Sequence, residues 1–178
     1  MTAGKYTPVP VIFLDRDGVI NKPAAPHEYI TDWENFVILQ GVYEALRMFN
    51  ESGRKIFIIT NQRCIARKIA TPEQIDIIHR KMLDDFRQHD CHVDGIYMCP
   101  HDISDNCACR KPKTGLFLQA QRDLEKSSGC TVDKGASWMI GDSESDIEAG
   151  RNYGVNTFLV DGENDLLRAA KKILEGSI

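Results

Sequence analysis

Three short apolar runs in this chain each end in groups able to bind a cation or move a proton. Phe13-Leu14 runs into Asp15-Arg16-Asp17-Gly18, Ile58-Ile59 into Thr60-Asn61, and Met139-Ile140 into Gly141-Asp142. If the runs lie side by side, three carboxylates, a hydroxyl and an amide meet on one edge. Carboxylates that close repel one another unless a positive charge sits between them. An all-oxygen set suits magnesium, which keeps several of its waters and pairs with phosphate. The plain alternative is that strand ends and turns are simply acid-rich. Against it, Asp ends two separate runs, a second Asp follows two residues after the first, and Gly18 then permits a sharp turn. A second constellation is Cys99-x-His101-x5-Cys107-x-Cys109, three thiols and an imidazole within eleven residues. That donor set suits a closed, tetrahedral and therefore structural zinc site. The spacing departs from the paired C-x-x-C pattern, so four unliganded side chains in a surface loop stand as the alternative. Cys64, Cys91 and Cys130 have no partner pattern and are expected to be small packing thiols. His27, His79, His89 and His92 are expected to be ordinary surface or packing histidines.

The elements that must position these groups alternate along the chain. Apolar runs at 9–15, 55–60, 95–99, 136–142 and 156–160 are predicted strands. Helical spacing of Val42, Leu46 and Phe49 gives a helix stopped by Gly53. Thr71 caps the next, with Pro72 at its first position and Gln74 completing a capping box, and it runs to about residue 89. Further helices are predicted at 116–126, at 147–153 with Gly154 as its stop, and at 165–174. Such alternation implies an α/β fold, a doubly wound, mainly parallel sheet covered on both faces. Ligands in such sheets bind beyond the carboxyl ends of the strands, where strand order reverses. The acids fall there.

Size and composition narrow the function classes. The 178 residues, 42% hydrophobic and 27% charged, are expected to form one globular domain over 1–178. No apolar run approaches the ~20 residues of a membrane helix. Residues 1–10 lack the apolar centre of a signal peptide, so a cytoplasmic protein with reduced thiols is expected. A net charge of −4 disfavours a nucleic-acid partner. A monomer is expected.

Taken together, the motifs resemble the haloacid dehalogenase superfamily of phosphotransferases. Asp15-x-Asp17-Gly18-Val19, Thr60-Asn61, Lys111-Pro112 and Gly141-Asp142-x3-Asp146 match its four motifs in order and spacing. A narrower resemblance, over about residues 9–160, is to the branch that holds the heptose-1,7-bisphosphate 7-phosphatases and histidinol-phosphate phosphatases. It rests on 13–21, Thr60-Asn61-Gln62, Ile65-Ala66-Arg67, Cys99-Pro100-His101 and Cys109-Arg110-Lys111-Pro112. The resemblance implies that Asp15 is the nucleophile and that Asp17 is the general acid and base. It also implies that Asp15, Asp142 and the Asp17 carbonyl hold magnesium. Thr60, the Asn61 backbone and Lys111 would hold the phosphoryl group. It supports zinc on Cys99, His101, Cys107 and Cys109, in a loop that presents Lys111.

Several residues keep two readings. Arg110 is either a fork for phosphate or sugar, or a solvated surface residue. Arg67 either touches substrate or belongs to a solvated basic cluster with Arg63 and Lys68. Asp146 either completes a capping box with Ser143 or orients Lys111 or metal waters; the two roles can coexist. The gaps of 42 residues between Asp17 and Thr60, and 49 between Asn61 and Lys111, are too short for a cap domain. Three loops, 21–36, 62–70 and 99–112, must shape the site, with His27, Tyr29 and Trp33 either lining it or packing their loop down. The implied substrate is a small phosphorylated sugar, the implied reaction removal of the 7-phosphate of heptose 1,7-bisphosphate in activated-heptose synthesis for surface polysaccharide. Arg63, Cys64 and Ser143 depart from the heptose pattern near the substrate. The rivals are histidinol-phosphate hydrolysis, a 3′-phosphatase acting on nucleic acid, and a zinc-stabilised binding module whose phosphatase site is vestigial.

Overall fold

The computed structural model describes residues 5–162 and 165–177. The first four residues of the polar N-terminal stretch therefore lie outside the described residues. At its centre is a five-stranded, wholly parallel sheet. In chain order its strands are β2 (Val11–Leu14), β3 (Lys55–Asn61), β4 (Gly95–Cys99), β6 (Trp138–Gly141) and β7 (Asn156–Leu159). They lie in the order β4-β3-β2-β6-β7. From β2 the chain moves outward through β3 to β4, then returns to β6 on the other side and ends at β7. Strand order therefore reverses between β2 and β6, the strands that lead into Asp15 and Asp142.

The first predicted strand is split. Pro10 has no N–H and breaks the ladder, so β1 (Thr7–Val9) leaves the main sheet and pairs with β5 (Cys130–Val132) in a two-stranded parallel ribbon. Nothing in the local sequence marked β5, three residues that lie directly behind a helix end and gain their strand character from that partner. The strand predicted at 136–142 is shorter than expected, since Ala136 and Ser137 belong to the turn before it.

Helices cover both faces, set by strand alternation. Ile12, Leu14, Ile56, Ile58 and Ile140 face α1 (Val42–Glu51), α2 (Pro72–Gln88) and α5 (Leu166–Glu175). Val11, Phe13, Phe57, Ile59 and Met139 face α3 (Gly115–Ser128) and α4 (Glu144–Tyr153). Phe13 is central to the second layer, 4.9 Å from Phe117 and 5.7 Å from Tyr153 between ring centroids. Helix α2 begins with the expected capping box, Thr71 and Gln74 bonding each other's backbone N–H. Helix α4 starts three residues earlier than predicted. Its first turn is polar outside and carries Asp146 inside, so apolar periodicity gave no sign of it.

Candidate active site

Each acid takes its place from the strand that precedes it. Asp15 follows Leu14 and is 8% exposed; its N–H still donates to the Ile140 carbonyl at 2.9 Å, continuing the ladder one residue past the strand. The chain then turns sharply, with Ile20 and Asn21 N–H both donating to the Arg16 carbonyl. Gly18 has φ +86°, and a Cβ there would lie 1.9 Å from Asp142 Oδ2. The glycine is thus required twice, by its backbone and by the close approach of Asp142. Gly141 has the same function on the other side, where a Cβ would meet the Asp146 side chain at 2.2 Å.

Asp15, Asp142 and Asp146 bring carboxylate oxygens within 4.8 Å of one another. Lys111 lies buried among them. Its Nζ donates to Asp15 Oδ1 at 2.6 Å and to the Ile59 carbonyl at 2.7 Å, and is 2.6 Å from Asp146 Oδ1. Burial would lower the Lys111 pKa, but Asp15 and Asp146 together hold it above the usual lysine value. Burial pushes the Asp15 carboxyl up to about 7, because one ammonium shared by two carboxylates does not offset the lost hydration. Burial and then Asp146 also raise Asp142. Asp146 makes the contacts that both readings of it require. Its Oδ2 accepts from the Ser143 N–H at 3.1 Å and from the Ser143 hydroxyl at 2.7 Å, while Oδ1 faces Lys111.

Asp17, two residues from Asp15, sits in an opposite environment. Its oxygens accept from Arg16 Nη2 at 2.9 Å each, from Asn21 Nδ2 at 2.9 Å and from Gln62 Nε2 at 2.9 Å. Burial acts to raise it, but the Arg16 charge and these hydrogen bonds hold it below the usual carboxylate range. Arg16, Asn21 and Gln62 were not singled out in the sequence. The signal was there for Arg16, a charged residue between two strand-end acids and so bound to point into the protein.

Thr60 is 1% exposed and lines the same cavity, with its hydroxyl accepting from Gln62 Nε2 at 2.9 Å. The Asn61 side chain clamps the Lys111 backbone. Its Oδ1 accepts from the Lys111 N–H at 3.1 Å and its Nδ2 donates to the Lys111 carbonyl at 3.3 Å. Asp15, Asp17, Thr60, Asn61, Lys111, Asp142 and Asp146 together line an open cavity of about 250 Å³. A neighbouring cleft of about 400 Å³ is lined by Asn61, Lys111, Asp102, Ile103 and Arg110. Arg110 therefore stands on this cleft, with Nη1 donating to the His101 carbonyl at 3.3 Å. Arg67 is outside both. Its Nε is 3.6 Å from Asp102, which Arg63 also binds, at 2.6 Å. The basic cluster thus ties loop 62–70 to loop 99–112. Trp33 stacks on Phe36 at 5.1 Å, and Tyr29 and Trp33 pack against the core, so these two hold their part of the loop down, whereas His27 is exposed and Pro23 lines the acidic cavity.

The sulfur cluster forms as expected. Cys99 Sγ is 3.6 Å from Cys107 and 3.3 Å from Cys109; Cys107 and Cys109 are 3.4 Å apart, and His101 Nδ1 is 3.2 Å from Cys109. None of the three is in a disulfide. Zinc–sulfur bonds of about 2.3 Å imply tetrahedral edges of about 3.7 Å. The donors thus stand slightly inside the positions a zinc ion would hold open. Cys64 and Cys91 are buried and Cys130 is partly so.

The acidic cavity also fits a divalent cation. Four carboxyl groups, Asp15, Asp17, Asp142 and Asp146, line it beside a single lysine, Lys111, and a cation there would offset the crowding that helps to raise Asp15 and Asp142. Gly18 leaves the space into which Asp142 turns.

Comparison with known proteins agrees. A family model described as HAD-hydrolase-like matches residues 108–173. A D-glycero-beta-D-manno-heptose-1,7-bisphosphate 7-phosphatase of Yersinia pestis is 37% identical over 156 residues, 84% of this chain and 78% of its own. The enzyme of the same name from Vibrio cholerae is 35% identical over 173 residues, covering 93% of this chain and 85% of its own. The chain belongs to the haloacid dehalogenase-like phosphatases. A solved D,D-heptose 1,7-bisphosphate phosphatase from B. bronchiseptica, complexed with magnesium and phosphate, superposes with a TM-score of 0.78. It is 26% identical and covers 94% of this chain and 99% of its own. This chain is therefore a phosphatase of that family, with the parallel-sheet core and no cap. Its Asp and Cys/His clusters are both possible metal sites. Among the described residues no helix is long and apolar enough to cross a membrane.

Proposed function

We propose that this chain, acting as a single capless domain over 1–178 and as a monomer, removes the 7-phosphate of D-glycero-D-manno-heptose 1,7-bisphosphate, in synthesis of activated heptose for surface polysaccharide. The observation that carries the reading is the buried Asp15–Lys111–Asp146 array at the strand reversal, in a chain 37% identical to a phosphatase of that specificity.

Asp15 attacks phosphorus through a carboxylate oxygen; a P–O bond to Asp15 forms as the P–O bond to the sugar breaks. Asp17 donates its proton to the leaving sugar oxygen. The negative charge of the arriving phosphate opposes the pull of Arg16 and gives Asp17 the proton affinity this step needs. As a carboxylate, Asp17 then takes a proton from the water that attacks the aspartyl-phosphate, releasing phosphate and restoring Asp15. Lys111 and the Thr60 hydroxyl, with the Asn61 backbone, hold the phosphoryl oxygens, and Asp146 fixes Lys111. Arg110, on the adjoining cleft, receives the far end of the substrate, and Arg67 acts on that end only through Asp102. Magnesium, held by Asp15, Asp142 and the Asp17 carbonyl, would supply Lewis-acid stabilisation of the phosphoryl charge. Zinc, on Cys99, His101, Cys107 and Cys109, would hold the loop that carries Arg110 and Lys111. The reduced thiols such a site needs accord with a cytoplasmic setting.

The test is a turnover panel with magnesium present. It contains both anomers of heptose 1,7-bisphosphate, histidinol phosphate and a 3′-phosphorylated oligonucleotide. Highest kcat/KM on a heptose bisphosphate is the expected result; preference for histidinol phosphate would overturn the substrate.

A further inference from the structure

His79 is buried on α2 within its apolar stripe, beside Ile75, Ile78 and Met82. An imidazole in that place must satisfy its polar atoms or cost stability. Its Nε2 is 3.2 Å from Arg16 Nη1. Arg16 itself is wholly buried. It shares the strand parity of Ile12 and Leu14, whose face is covered by α1, α2 and α5, and so it reaches α2 rather than the cavity. The guanidinium is rigid and planar, so fixing Nη1 also fixes Nη2. Nη2 donates to both oxygens of Asp17 at 2.9 Å. The Phe36 ring, 5.6 Å from Arg16 Cζ, supports the guanidinium.

We propose that His79 is a positioning residue for proton transfer by Asp17, acting through Arg16. The inference rests on the reading of Asp17 as the acid and base. An acidic residue at 79 would share the charge of Arg16 and weaken its hold on Asp17. A neutral imidazole accepts the hydrogen bond and leaves that charge to Asp17. Burial and then the Arg16 charge keep His79 neutral, driving its pKa down to about 3. With Nε2 as acceptor, the ring proton resides on Nδ1. An apolar residue at 79 would leave Nη1 without its acceptor and free the guanidinium to turn, taking the Asp17 oxygens with it.

The experiment compares kcat/KM on an alkyl phosphate, a sugar phosphate, with that on p-nitrophenyl phosphate, whose leaving group needs no proton. Because kcat/KM reports formation of the phosphoenzyme, only the alkyl ester depends on Asp17 as acid in this measure. His79→Leu is expected to lower the alkyl value roughly ten- to a hundredfold, the loss typical of a displaced catalytic group, while the aryl value holds. His79→Gln, whose amide oxygen reaches the position of Nε2, is expected to restore the alkyl value. In an Asp17→Asn background His79→Leu is expected to add nothing. Equal loss on both esters, no loss on the alkyl ester, or a further loss in the Asp17→Asn background would each overturn the proposal. If His79→Leu does not fold, His79→Asn, too short to reach Arg16, takes its place with the same expected results. Asp15→Asn is assayed alongside. If it still turns over, the nucleophile assignment fails; if Asp17→Asn alone lowers the alkyl and aryl values equally, the reading of Asp17 as the acid fails rather than the function of His79.

Discussion

The carboxylate cluster at the strand ends and the sulfur cluster in loop 99–112 each gather donors for a cation, yet they are held together by different means. Asp15 and Asp146 are compensated by Lys111, an ammonium built into the fold and 2.6 Å from both. The end of β2 fixes the backbone of Asp15, and the first turn of α4 that of Asp146. Among the described residues, no such internal cation stands between Cys99, His101, Cys107 and Cys109. Only Cys99 ends a strand, and the others belong to a loop with a single 3₁₀ turn at Ile103–Asp105. On the proposed reading, the first cluster would keep its shape without metal and take metal for chemistry, whereas the second would depend on its ion for shape.

Five measurements sharpen or break that contrast. Asp15→Asn is expected to lower turnover at least about 10³-fold while leaving the thermal midpoint intact, since the amide keeps the shape and removes a buried charge. A residual rate near wild type would break the assignment of the nucleophile. Lys111→Met leaves Asp15 and Asp146 buried without their cation, and loss of one partner of a buried ion pair costs about 3–5 kcal/mol. Denaturant unfolding should show that loss, and should show it lessened by added magnesium; an unchanged midpoint would mean that the sheet alone holds the acids. Cys107→Ser is expected to abolish stoichiometric zinc and to lower turnover roughly tenfold by loosening the loop that presents Lys111. Metal analysis with steady-state kinetics reads both, and unchanged values for both would refute structural zinc.

The fourth measurement is a magnesium titration against pH. Burial raises Asp15 to about 7, so below that pH its carboxyl carries a proton that must leave before a cation binds. Apparent affinity should therefore fall as pH drops through 7, by about tenfold per unit if one proton is displaced. A flat profile from pH 5 to 8 would show that Asp15 is already ionised in the metal-free fold. The smallest effect is expected from Asp102→Ala. It removes the partly exposed Arg63 and Arg67 pairs between two loops, which add little to stability. KM should rise more than kcat falls, and a large drop in thermal midpoint would contradict that.

The sequence alone determined the alternation of strand and helix, the capping box of α2, and the placing of Asp15, Asp17, Thr60 and Asp142 at strand ends. These are legible because backbone period and local hydrogen bonding act over a few residues. It also determined the donor set of the sulfur loop, since all four ligands lie within eleven residues. Tertiary structure decided the rest. The pairing of Thr7–Val9 with Cys130–Val132 is not visible locally, because each strand depends on a partner more than a hundred residues away. The opposite environments of Asp15 and Asp17 could not be read from two identical side chains. Lys111 lies 96 residues from Asp15 in sequence, and Arg16 meets His79 across 63. Burial and charge are sums over everything that surrounds a group in space. Only when the sheet brought Lys111 to Asp15, and burial against His79 fixed Arg16 on its neighbour Asp17, did the two become chemically different.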